Sequence, residues 1–174
     1  MTWFDTAVMH WVVTHSSPLG DQVALGVMAV CTNPVTIGAI ALLCLGYAVV
    51  RHRYRLVAGV VLAVLTSMLV AGLLKQIVGR ARPAVPMALV FAGGPSMPST
   101  DAAITAAAAV ALYVGLTWLH PQPRRIVPAL LVVSVTAIGL CLVYLGVHWP
   151  TDVMAGWALG AVIGVAAAAV MALA

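Results

Sequence analysis

Polar positions in this chain are few, and they fall between long apolar runs. Those runs cover roughly 34–50, 56–78, 99–119, 126–146 and 150–173. Each approaches the ~20 residues with which an α-helix crosses a bilayer core. Residues 19–32 are also apolar but short, and Asp21 interrupts them. They read either as a sixth span or as a re-entrant piece. Residues 2–15 mix Trp3, Phe4, Trp11 and Val12 with Asp5, His10 and His15. That mixture predicts an amphipathic helix in the interface, with Trp at head-group level. Ser16-Ser17-Pro18 ends it. The expected fold is all-α: a polytopic membrane helix bundle of five to six transmembrane helices plus the N-terminal interfacial helix. It forms a single membrane domain over 1–174, with short helices in 1–33 and the main bundle in 34–174.

Composition excludes a soluble domain. Hydrophobic residues make up 64% of the chain and charged residues 7%, against about 25% charged in soluble proteins. The net charge of +4 does not suggest nucleic acid, because the cations sit in short loops between apolar runs. The loops at 51–55 and 120–125 hold five of the eight Lys and Arg. Alternating spans put both loops on one side, and the positive-inside rule makes that side cytoplasmic in a multi-pass cell-membrane protein. Cys31, Cys44 and Cys141 are widely spaced in apolar surroundings and show no disulfide or zinc pattern. The N-terminus lacks the basic region of a cleaved signal peptide, so insertion is expected to rest on the spans.

The same alternation gathers the other charges at the opposite, extracytoplasmic end. Lys75, Arg80, Arg82, Asp101, His148 and Asp152 all lie at or next to span ends there. Three cations on that face run against the positive-inside trend, which implies a task for them. Gly156, Gly160 and Gly164 continue the stripe begun by His148 and Asp152. Small residues at four-residue spacing let membrane helices approach closely, either within one bundle or in a homodimer.

Three local patterns could carry chemistry. Lys75, Arg80 and Arg82 precede Pro83 at a helix end. Cations there suit the helix dipole, and together they also suit an anion clamp of Arg forks and a Lys point charge. Pro98-Ser99-Thr100-Asp101 opens the next helix. Ser99 or Thr100 is a good N-cap, the free N–H groups there can hold an oxyanion, and Asp101 is either a first-turn acid or a proton donor. His148 and Asp152 flank the start of the last helix. Asp152 either caps that helix or fixes the tautomer of His148, leaving the other ring nitrogen free to attack. A metal held by His148, Asp152 and Asp101 would lack a second nearby His, so no metal is expected.

Taken together these patterns resemble the type 2 phosphatidic acid phosphatase (PAP2) family of membrane lipid phosphatases, whose motifs are K-x6-R-P, P-S-G-H and S-R-x5-H-x3-D. The first runs complete from Lys75 to Arg82-Pro83, the second is half present as Pro98-Ser99-Thr100-Asp101, and the third keeps His148 and Asp152. The resemblance spans residue 34 to the C-terminus. It implies a reaction without metal or other cofactor on a lipid phosphate or diphosphate, of polyprenyl or phosphatidylglycerol type, at the extracytoplasmic face. His148 would form a phosphohistidine, and Asp152 would orient it. Lys75, Arg82 and Ser99 would hold phosphate, with Thr100 at the same helix start.

Two positions depart from the pattern: Asp101 stands where the family has its acid His, and Leu142 where it has a phosphate-binding Arg. Cys141 likewise replaces the motif's Ser. Either Asp101 keeps a proton and acts as the acid, with Arg80 replacing the missing Arg, or the chain binds or moves a phospholipid, or assists a partner enzyme, without catalysis.

Overall fold

The computed structural model describes residues 2–84, 87–119 and 126–173. Among them are seven helices and no strand: α1 (Trp3–His15), α2 (Pro18–Thr32), α3 (Pro34–Arg51), α4 (Tyr54–Val78), α5 (Thr100–Leu119), α6 (Ile126–Tyr144) and α7 (Pro150–Leu173). Their ends follow local chemistry. Thr2 and Asp5 form a reciprocal capping box on α1, satisfying N–H groups that a helix start leaves open. Ser17 caps α2, and Asn33 caps α3 by accepting from the Val35 and Thr36 N–H groups. α4 stops at Gly79, whose left-handed φ of 60° costs a residue without Cβ nothing.

Among the described residues, four helices are long and apolar enough to cross a membrane: Tyr54–Val78, Thr100–Trp118, Ile126–Tyr144 and Pro150–Leu173. The expected span at 34–50 is not among these four. α2 and α3 meet that test as a pair, bent by 51°. Such a pair is either one broken span, giving five crossings among the described residues, or a re-entrant loop. The bend is local: Asn33 ends one helix and caps the next.

α4, α5 and α7 form the inner bundle, packed through small residues. Gly59, Ala63, Ser67 and Ala71 are buried on α4; Ala103, Ala107 and Ala111 on α5; Gly156, Gly160 and Gly164 on α7. A Cβ added at Gly156 would lie 2.5 Å from the Ser99 carbonyl oxygen, and one at Gly164 2.7 Å from that of Ala107. The α7 backbone therefore rests on α5 itself. The glycine stripe thus packs within the chain. Large apolar side chains such as Leu43, Leu69, Ile77 and Val132 face outward, as lipid-facing positions do.

The end of α4, the start of α5, the end of α6 and the start of α7 meet at one end of the bundle. Ser99 N–H donates to the Asp152 carbonyl at 3.0 Å, and the His148 and Val147 N–H groups donate to the Leu142 carbonyl. α1 lies over this end. Its Asp5, Met9 and Val12 are buried, while Trp3, Phe4 and Trp11 are exposed. Met9 and Val12 join Ala102, Leu142, Val143, Trp149 and Val153 in one apolar cluster. The Arg51–Arg55 segment lies at the far end, between α3 and α4. The loop 120–125, expected beside it, is outside the described residues.

Candidate active site

His148 sits in the turn between α6 and α7. Gly146, at φ 70°, makes that turn possible, because a Cβ there would collide with the Met87 carbonyl. The imidazole is 2% exposed. Its Nε2 lies 3.3 Å from Arg82 Nη1, and its Nδ1 lies 3.6 Å from Asp152 Oδ2. The second distance is just beyond hydrogen-bond length, and Nδ1 has no other partner. Catalytic hydrogen bonds are commonly long before substrate binds. Burial pushes the imidazole pKa below its ordinary value; Asp152 opposes this, while Arg82 and Lys75 add to it. The ring is therefore neutral near pH 7, with Nε2 facing a cation.

Arg82 and Lys75 are held by carbonyls. Arg82 Nη1 donates to the Val147 carbonyl at 2.7 Å, and Nε to those of Gly93 and Gly94. Lys75 Nζ donates to the Pro95 carbonyl at 3.2 Å. The ion pairs at this end of the bundle involve Arg80 and His148. Lys75 and Arg82 thus keep charges that no contacting carboxylate neutralises, which suits an anion site. Ser99 is buried and caps α5 by accepting from Ala102 N–H at 3.4 Å. Thr100 follows it, half-buried, as the first residue of α5.

Arg80 has a different task from the one expected. Its Nη1 donates to Asp152 Oδ1 at 2.6 Å and to Thr151 Oγ1 at 2.7 Å, and its Nη2 to Asp5 Oδ2 at 2.6 Å. The guanidinium lies 5.6 Å over the Trp149 ring. It is shared between two fully buried carboxylates and is not free to replace an Arg at position 142. Asp5 also accepts from Thr151 N–H, Thr151 Oγ1 and Thr2 Oγ1. Burial works against ionising Asp5, but the hydrogen bonds from Arg80, Thr151 and Thr2 outweigh it and hold the carboxyl well below the usual range.

Both departures from the motifs take definite form. Leu142 is fully buried among Met9, Val12, Ala102 and Trp149, so an apolar side chain fills that position. Asp101 is exposed on the first turn of α5. It acts at longer range, together with Asp152, in favour of the charged form of Arg82 against that side chain's burial. No group of three or more His, Cys, Asp or Glu among the described residues is placed to hold a metal ion.

Sequence reasoning missed Asp5, Thr151, Ser96 and Trp149. Ser96 Oγ lies 3.1 Å from both the Arg80 and Ala81 carbonyls, and Trp149 Nε1 donates to the Ala81 carbonyl at 2.9 Å, pinning the Arg80–Arg82 segment onto the start of α7. For Asp5 a signal existed: it is one of four acids in the chain and shares the helical face of Met9 and Val12.

A model of the PAP2 superfamily matches residues 56–173. The decaprenylphosphoryl-5-phosphoribose phosphatase of Mycobacterium tuberculosis, in strains CDC 1551 / Oshkosh and ATCC 25618 / H37Rv, is 36% identical over 115 residues. That match covers 66% of this chain but only 59% of the relative's length. The fold matches the PAP2 type phosphatidylglycerolphosphate phosphatase from Bacillus subtilis with a TM-score of 0.82 at 24% identity, over 95% of this chain and 83% of that one. Aquifex aeolicus LpxE matches with a TM-score of 0.74 at 23% identity, over 96% and 98% of the two chains.

Proposed function

The chain belongs to the PAP2 superfamily, and on that premise we propose that it hydrolyses a phosphate ester or diphosphate of a membrane lipid. The observation that carries this reading is the placement of His148. Its Nε2 faces Arg82 at 3.3 Å while its Nδ1 faces Asp152. A phosphoryl group bound by Arg82, Lys75 and the Ser99 end of α5 would meet Nε2 directly. The Nε2–P bond forms as the lipid P–O bond breaks, and Asp152 supports the charge that develops on the ring. Water then cleaves the phosphohistidine, releasing phosphate and freeing the ring.

The leaving group narrows the substrate. Asp101 is exposed on the first turn of α5 and not enclosed with the phosphate-binding groups, so a basic alkoxide has no placed acid and would leave slowly. A terminal phosphoryl group on a diphosphate leaves behind a lipid monophosphate, whose own second pKa is about 6, and this step needs no acid. The reading therefore favours a polyprenyl or similar lipid diphosphate over a monoester. Lipid-linked phosphates stand in the names of the M. tuberculosis and B. subtilis relatives, which supports the lipid class of the substrate and not the diphosphate preference. The site faces the extracytoplasmic side in this reading, because the Arg51–Arg55 cluster lies at the other end.

The test is phosphate release by purified protein from matched lipid monophosphates and diphosphates, with His148→Ala alongside. Faster release from diphosphates, abolished by His148→Ala, is expected. Equal release by both proteins would overturn the nucleophile. A second reading, a lipid-binding protein without turnover, is favoured by the apolar burial of Leu142 and the exposure of Asp101. It gains if no substrate is cleaved while lipid phosphates still bind.

A further inference from the structure

Arg80 divides its guanidinium between two carboxylates from opposite ends of the sequence. Nη1 holds Asp152 Oδ1 and Nη2 holds Asp5 Oδ2, each at 2.6 Å. The other Asp152 oxygen, Oδ2, accepts from Trp149 N–H at 2.9 Å and is the one facing His148 Nδ1. The carboxylate is thus fixed at both oxygens, and its orientation toward the imidazole depends on where Arg80 sits. Asp5 holds the other end of that guanidinium, and it lies outside the residues 56–173 that match the family.

We infer that Asp5 is a positioning residue for His148, acting through Arg80 and Asp152, so that the site is complete only with α1 docked on it. This rests on the proposed phosphatase reading. Two effects follow from the geometry. With Asp5 present, one guanidinium serves two carboxylates, and the cluster keeps a net negative charge behind the imidazole. Without it, Arg80 and Asp152 form a neutral pair, and His148 loses the counter-charge that supports a positive ring. Arg80 also becomes free to take both Asp152 oxygens as a bidentate fork, which draws Oδ2 away from Nδ1.

The other charges facing His148 are Arg82, after α4, and Lys75, on α4; both disfavour a charged ring. Asp101 on α5 reaches it only by way of those cations, and α6 carries no charged residue. A purely anchoring Asp5 is the simpler alternative, since it also belongs to the α1 capping box. That role predicts lost stability and no change at His148.

The experiment measures the His148 ring pKa by NMR on full-length, 13C-histidine-labelled protein in micelles. Phosphate release from farnesyl diphosphate is followed in parallel. Asp5→Asn is expected to lower the ring pKa by about half a unit to one unit. It should also lower kcat about tenfold to a hundredfold with KM little changed, and Asp5→Glu should restore part of the loss. Thr2→Val, which removes one donor to Asp5, should move both quantities the same way and decides the matter if Asp5→Asn does not fold. An unchanged ring pKa and kcat in a destabilised variant would overturn the inference. Failure of the phosphatase reading is seen separately, as unchanged release in His148→Ala, and the NMR titration still decides whether Asp5 acts on His148.

Discussion

Replacing Arg80 by Met keeps most of the stem over Trp149 and removes the charge. It leaves Asp5 and Asp152, both fully buried, without their shared cation. Removing one partner of a buried ion pair costs about 3–5 kcal/mol. Arg80 is 14% exposed, so water can partly replace it, and the lower figure, about 3 kcal/mol, applies. For a chain of this size each kcal/mol moves Tm by roughly 2–4 °C, which gives a drop of about 6–12 °C at pH 7. The pH dependence supplies a sign. The folded pKa of Asp5 is depressed, so its contribution is fully present above its unfolded pKa of about 3.9. It is lost as pH falls through the folded value. The gap between wild type and Arg80→Met should therefore close as pH drops below about 4. Adding Asp5→Asn should recover part of the loss at pH 7, because one orphaned carboxylate is gone. Thermal unfolding in detergent, followed by tryptophan fluorescence, reads all three. Equal Tm values for wild type and Arg80→Met at pH 7 would refute the reasoning.

Other outcomes follow from the same packing and charges. Gly160→Ala should destabilise by about 1–3 kcal/mol, since its Cβ would press on Ala103 and Ala106. Gly72→Ala, with nothing nearby, should be neutral or better by up to about 1 kcal/mol; thermal unfolding separates the two. Leu142→Arg should lose folded yield, because it buries a cation among Met9, Ala102 and Trp149, whereas the exposed Asp101→His should fold normally; size-exclusion profiles compare them. The kcat/KM profile should lose activity in acid only below the ordinary histidine pKa of about 6.5, because His148 must be neutral and its pKa is lowered. An acid limb above that value contradicts the burial argument.

Much of the site was legible because its residues lie at helix ends, where sequence pattern and topology coincide. Lys75, Arg82, Ser99, His148 and Asp152 each follow or open an apolar run, and alternation of spans alone gathers them. Arg80 was legible as a cation but not as a structural one, because its partner Asp5 is 75 residues away. Asp5 itself looks like an ordinary first-turn acid, and it is one; its second role appears only when α1 folds over α7. The bend between 19–32 and 34–50 was hidden for a related reason: hydropathy counts length, whereas the 51° bend falls at one cap residue. The glycine stripe was read correctly as a close-approach surface, but spacing cannot say whose helix approaches.

The covalent intermediate is the most direct test of the proposed chemistry. Protein incubated briefly with a 32P-labelled lipid diphosphate and quenched in alkali, where phosphohistidine survives, should carry label on the peptide containing His148. Asp152→Asn should carry less, and His148→Ala none. Turnover of that substrate with no label on His148, or with label undiminished in His148→Ala, would contradict it.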